Sequence, residues 1–183
     1  MIGSKISKRY AKALLSIGRE DGNYEEYGKN LREFADFCTS SPEFYRVISS
    51  RIYSGEERGG VLDWALEKSG FAPVVKNFLR LLLEKNRIGA IAEIADYYEK
   101  LTDEIANIAR AEIITARPIK EDTLGRVKQA LTGLTSQDVK VQIREDASLI
   151  GGIIVKIGDL VLDGSVRAQL EGLKESLKRG EYT

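Results

Sequence analysis

The sequence predicts an α+β protein: a six-helix bundle over residues 1–108, then a small α+β domain over residues 109–183 with a short β-sheet and two helices. Three observations carry that expectation. Apolar residues recur at spacings of three and four from Ile6 to Ile108, with no strand-like alternation among them. Beyond that point β-branched residues alternate with polar ones, as Val139, Val141 and Ile143 do against Lys140, Gln142 and Arg144. Finally, Ser148–Leu170, SLIGGIIVKIGDLVLDGSVRAQL, sets Gly158-Asp159 between two apolar runs and follows them with Asp163-Gly164-Ser165. That order reads as hairpin, turn and helix, with Ser165 at the N-cap.

The first helix covers Lys5 to about Glu20, with Ile6, Tyr10, Ala13, Leu14 and Ile17 as its apolar stripe and Lys5, Lys8, Arg9, Lys12 and Arg19 elsewhere. A basic amphipathic start resembles a targeting peptide, but no small-residue cleavage site follows and acidic residues do, so it is read as a helix of the fold. Tyr24–Thr39 repeats the pattern with Cys38 as a small core residue, and Ser40-Ser41-Pro42 stops it and opens a short third helix. Ser54 and Glu57 have capping-box spacing ahead of a fourth helix, with Trp64 on or near its apolar face. Pro73 opens the fifth, in which Val75, Phe78, Leu79, Leu81, Leu82 and Leu83 give an apolar face broader than a surface helix needs. A long sixth helix is expected from Ile91 to Ile108. Then come a strand at Glu112–Thr115 closed by Pro118, a helix at Lys120–Leu134, the strand at Val139–Ile143, the hairpin, and a last helix with Val166, Leu170, Leu173 and Leu177 on one face.

Composition removes several function classes. Lysine plus arginine equals aspartate plus glutamate at 28 each, so no global field favours nucleic acid or an anionic membrane. There is no histidine and a single cysteine, which takes away the commonest general base and metal ligand and any internal disulfide. No run of about 18 uncharged apolar residues occurs. Gly151-Gly152, Gly158 and Gly164 do not form a phosphate loop: the lysine is missing, and the paired glycines precede a strand rather than join a strand to a helix. Glycines serving a bulge and tight turns explain them. Asp159 and Asp163 read as turn residues bonding nearby amides rather than an acid/base pair. Arg167, in the first turn of the last helix where a cation opposes the dipole, suggests a partner such as Asp163, with a solvated arginine the equal alternative. No catalytic, metal or cofactor-binding residues are assigned.

At this point the residues carry a resemblance. Ser148–Leu170 closely resembles the C-terminal signature of the delta subunit of F-type ATP synthases, the oligomycin sensitivity-conferring protein family, with Ala147 where the family has proline and Lys156 where it has arginine. Arg9-Tyr10-Ala11-Lys12-Ala13-Leu14, Asn77-Phe78-Leu79 through Asn86-Arg87, and Ala116-Arg117-Pro118-Ile119 extend the likeness over nearly the whole chain. The resemblance implies a non-catalytic stator subunit that joins the catalytic head to the peripheral stalk, needed for coupling proton transport to ATP synthesis. It implies that the N-terminal helix of an alpha subunit enters a groove between the first and fifth helices, where Tyr10, Ala13, Leu14, Ile17, Phe78, Leu79 and Leu82 are the candidates. The same side chains would equally serve to fill a bundle core. The C-terminal domain would meet the b subunits of the stalk. Gly151, Gly152, Gly158, Asp159, Asp163, Gly164, Ser165 and Arg167 would be structural. No nucleic acid is implied, and a membrane only through the complex, at the cytoplasmic face of a bacterial inner membrane or its organelle equivalent. The competing reading is a stand-alone helical module for protein or RNA.

Overall fold

The computed structural model describes residues 4–179 and divides between Asp103 and Glu104 into two compact units. The first is helical: α1 (Lys5–Glu20), α2 (Tyr24–Ser40), α3 (Pro42–Ser49), α4 (Gly55–Lys68), α5 (Pro73–Glu84) and α6 (Ile91–Ile105), with a 3₁₀ turn at Ile88–Ala90. Local chemistry sets the starts. Ser4 Oγ accepts from the Ser7 amide at α1, proline opens α3 and α5, and Ser54 and Glu57 form a reciprocal capping box at α4. The core joins all six helices through residues such as Leu14, Leu31, Ile48, Leu62, Leu79 and Ile94, each fully buried. Arg58, itself buried, ties three segments together by donating to Ile48 O (2.9 Å) and Asn86 Oδ1 (2.8 Å). Cys38 lies in this core, and burial pushes its thiol up to about 12.

The second unit contains β1 (Ile108–Thr115), α7 (Glu121–Thr135), β2 (Asp138–Glu145), a 3₁₀ turn at Ala147–Leu149, β3 (Ile153–Ile157), β4 (Leu160–Asp163) and α8 (Val166–Arg179). The sheet order is β2-β1-β3-β4, with β1 parallel to β2 and antiparallel to β3. The parallel pair requires a crossover, which α7 supplies, packing Leu124, Val127 and Leu131 over Ala109, Ala111, Ile113, Val139 and Val155. β3 and β4 pair Ile157 with Leu160, leaving Gly158-Asp159 as a two-residue turn with Gly158 at φ 57. A positive φ at the first turn position is where glycine belongs.

Three expectations are corrected. The sixth helix stops at Ile105, not Ile108: Asn107 takes φ 53, and β1 starts at Ile108, four residues ahead of the expected strand. Ala109 and Ala111 point into the core from that extension, in step with Ile113, an alternation disguised by the helix-favouring residues alanine, arginine and glutamate. Trp64 is 56% exposed rather than packed on the α4 core face, which is Leu62 and Leu66, and the Lys68 ammonium sits 3.9 Å from its ring centre.

The third correction concerns α1, whose buried stripe is Ser7, Ala11, Leu14, Leu15 and Gly18, one position round from the expected one. Large apolar side chains set the expected period, yet small residues face inward because the neighbouring chain comes close. A Cβ on Gly18 would lie 2.8 Å from Tyr24 Cα, and Ser7 Oγ donates to Glu93 Oε2 at 2.8 Å.

Candidate docking surfaces

On the helical unit the seven groove candidates separate by depth. Leu14, Leu79 and Leu82 are fully buried and Phe78 nearly so, so they belong to the core. Tyr10 is half-buried, and its ring meets that of Phe78 edge-on, centres 6.2 Å apart at 70°, which brings α1 and α5 together. Ala13 is exposed, and Ile17 is 45% exposed. Tyr10, Ala13 and Ile17 therefore form a second apolar stripe on α1, at spacings of three and four, with Tyr10 packed on the edge of the core and Ala13 and Ile17 exposed. On α5, Leu81 is 41% exposed one turn past Phe78, while Leu83 is buried. Leu81, counted in the sequence toward the breadth of the fifth helix, is thus an exposed apolar residue of α5 that the groove candidates do not include. Arg9 stands 5.7 Å from the Tyr10 ring, and Lys85 bonds Glu84 at 2.8 Å while also feeling Tyr10, so cations border the stripe.

In the α+β unit five of the eight signature residues, Gly151, Gly152, Asp163, Gly164 and Ser165, make a clasp. Asp163 Oδ1 accepts from the Ser165 amide at 2.9 Å, which holds its carboxyl below the usual aspartate range. Ser165 Oγ then accepts from the Ala168 amide at 3.1 Å, the N-cap of α8. This turn is pressed onto the paired glycines: Val166 N donates to Gly151 O (3.0 Å) and Gly164 N to Ile153 O (2.9 Å). Gly152 sits at φ 80, and a Cβ there would fall 2.3 Å from Gly164 O. Arg167 pairs with Glu171 at 3.2 Å along α8, not with Asp163, whose carboxylate faces backbone.

α8 has no buried residue among those described. Val166, Leu170, Leu173 and Leu177 are 36%, 53%, 57% and 55% exposed, and β4 adds Leu160, Val161 and Leu162 at 48%, 56% and 40%. Spacings of four, three and four give the α8 stripe the pattern of a helix-pairing seam. No group of three or more histidine, cysteine, aspartate or glutamate side chains among the described residues could hold a metal, and no described helix is long and apolar enough to cross a membrane.

A family model described as ATP synthase delta (OSCP) subunit matches residues 6–177. The chain belongs to that family. It is 42% identical over 176 residues to the ATP synthase subunit delta of Desulfosudis oleivorans, covering 96% of each chain. To the same subunit of Desulfatibacillum aliphaticivorans it is 43% identical over 177 residues, 97% of each. The fold also matches a chain of the Toxoplasma gondii mitochondrial ATP synthase hexamer, with a TM-score of 0.73 at 21% identity over 95% of this chain and 98% of that one. The chain is thus a delta-type, non-catalytic subunit, a stator component of ATP synthase.

Proposed function

We propose that this subunit bridges the catalytic head to the peripheral stalk, one unit to each. In this reading the six-helix bundle of residues 1–108 takes the N-terminal helix of an alpha subunit along α1 and α5. Residues 109–183 take the C-terminal ends of the b subunits. The bridge keeps the head from turning with the rotor, and so couples proton transport to ATP synthesis, at the cytoplasmic face of a bacterial inner membrane or its organelle equivalent. The observation that carries the reading is the stripe of exposed Ala13 and Ile17 running on from Tyr10, whose ring meets Phe78 of α5: an apolar face on a helix already packed on its other side. Two grips on different partners also raise the retention of the link above that of either contact alone.

Titration calorimetry with an alpha N-terminal peptide tests it. Ile17→Asp places a charge on the exposed stripe without touching the core, so the helical signal in circular dichroism stays while affinity falls by roughly tenfold or more. Unchanged affinity removes the stripe from the interface. Phe78→Asp is the poorer probe, because Phe78 is only 8% exposed and its replacement attacks the fold itself.

A further inference from the structure

Ile150 is held against its preferences in both backbone and side chain. Its φ and ψ are 65° and −44°, and the Gly151 amide donates to Leu149 O at 2.7 Å across it, a γ-turn of the rare, strained hand. A β-branched residue at positive φ is an outlier, yet the side chain gains little local packing, being 66% exposed. The flanks explain how the strain is held. Asp146 Oδ1 accepts from the Ser148 amide at 2.9 Å and Leu149 is buried on one side, while Gly151 and Gly152 are clasped by the turn before α8 on the other. Glycine at position 150 would relieve the backbone and forfeit little inside this chain, so the fold does not account for an isoleucine here.

The surface accounts for it. A Cβ on the adjoining Gly151 would lie 3.1 Å from Val166 Cγ2, and Val166 N donates to Gly151 O, so the backbone one residue past Ile150 packs on the first residue of the exposed α8 seam. We infer that Ile150 is the anchor at the head of that seam, inserting into the apolar stripe of a stalk b-subunit helix laid along Val166, Leu170, Leu173 and Leu177. This rests on the reading that the α+β unit takes the b subunits. The occupant is a helix because the seam has helix-pairing spacing, and it carries an acidic residue opposite Lys174, which holds an edge position of α8. Strain at an exposed apolar residue is the mark of a contact made with something outside the chain.

The test measures binding of the full chain to the soluble part of the b subunits by calorimetry, with thermal melts alongside, for the parent, Ile150→Gly, Ile150→Val and Leu170→Asp. The expected pattern is that Ile150→Gly melts no lower than the parent but binds about tenfold or more weaker, while Ile150→Val stays within about threefold. Leu170→Asp loses binding. Parent-like affinity in Ile150→Gly with binding lost in Leu170→Asp overturns the anchor and leaves the b-subunit reading standing. A lower melting point for Ile150→Gly overturns the strain argument. A parent chain that does not bind the b subunits, or that dimerises through α8 and is not displaced by them, overturns both.

Discussion

The two units spend their apolar residues differently. In the helical unit one contiguous core runs from Ala11 to Tyr98, takes in every helix, and leaves scattered apolar residues plus one stripe on α1 exposed. In the α+β unit the core is thin, α7 on one face of a four-stranded sheet with Ile114 and Leu149 buried outside that cluster, while the apolar seam of α8 and most of β4 meet water. The helical unit is complete in itself and offers a partner a surface. The α+β unit leaves this apolar seam exposed among its described residues, so a partner is expected to supply part of its stability.

The contrast breaks or sharpens first on matched leucines. Leu79→Ala empties a fully buried site and should cost the helical unit about 2–5 kcal/mol, whereas Leu170→Ala on α8 should change the stability of the free chain by less than about 0.5 kcal/mol. Urea melts with residue-level hydrogen exchange report both, and equal costs would mean that α8 is packed in solution. Next in size is Gly152→Ala. Positive φ and a Cβ 2.3 Å from Gly164 O should together cost about 2–4 kcal/mol, with exchange rising in the α+β unit and not in α1–α6. Loss of protection in both units would contradict the division.

Alkaline pH gives the mildest separation. Tyr27 is raised to about 12, chiefly by its hydrogen bond to Asp21, Tyr98 is raised by burial, and Cys38 is raised to about 12 by burial, all in the helical unit. The folded state holds these protons more tightly than the unfolded chain. Their contribution is therefore complete below the unfolded values, near 9 for the thiol and 10 for the phenols, and is lost as pH climbs toward 12. The described part of the α+β unit contains no tyrosine or cysteine. Circular dichroism from pH 8 to 12 should show helix loss led by the first unit, and protection that disappears first from β1–β4 would overturn this.

Much of this arrangement was legible in the residues, and the misses share a cause. Caps, prolines and turn pairs are local, so Ser54 with Glu57, Pro42, Pro73 and Gly158-Asp159 placed their elements closely. The early start of β1 escaped because IARAEIIT alternates with alanines, too small to stand out as a buried face. The α1 stripe was one residue off for the same reason: Ser7, Ala11 and Gly18 are buried because they are small, and periodicity weighs size. That error bears on the site. Once the small residues turn inward, Ala13 and Ile17 are freed from the core and Tyr10 sits at its edge, while Leu14, Leu79 and Leu82 are claimed by it. Ile150 was out of reach, since a γ-turn at an isoleucine has no composition signal.

The most direct test of a two-grip bridge is hydrogen exchange on the intact chain with each partner added separately. The account predicts that an alpha N-terminal peptide slows exchange in α1 and α5 and leaves residues 146–179 unchanged, while the soluble b subunits slow exchange in α8 and the Ala147–Gly152 turn and leave α1 and α5 unchanged. Protection of α8 by the alpha peptide, or of α1 by the b subunits, would contradict it.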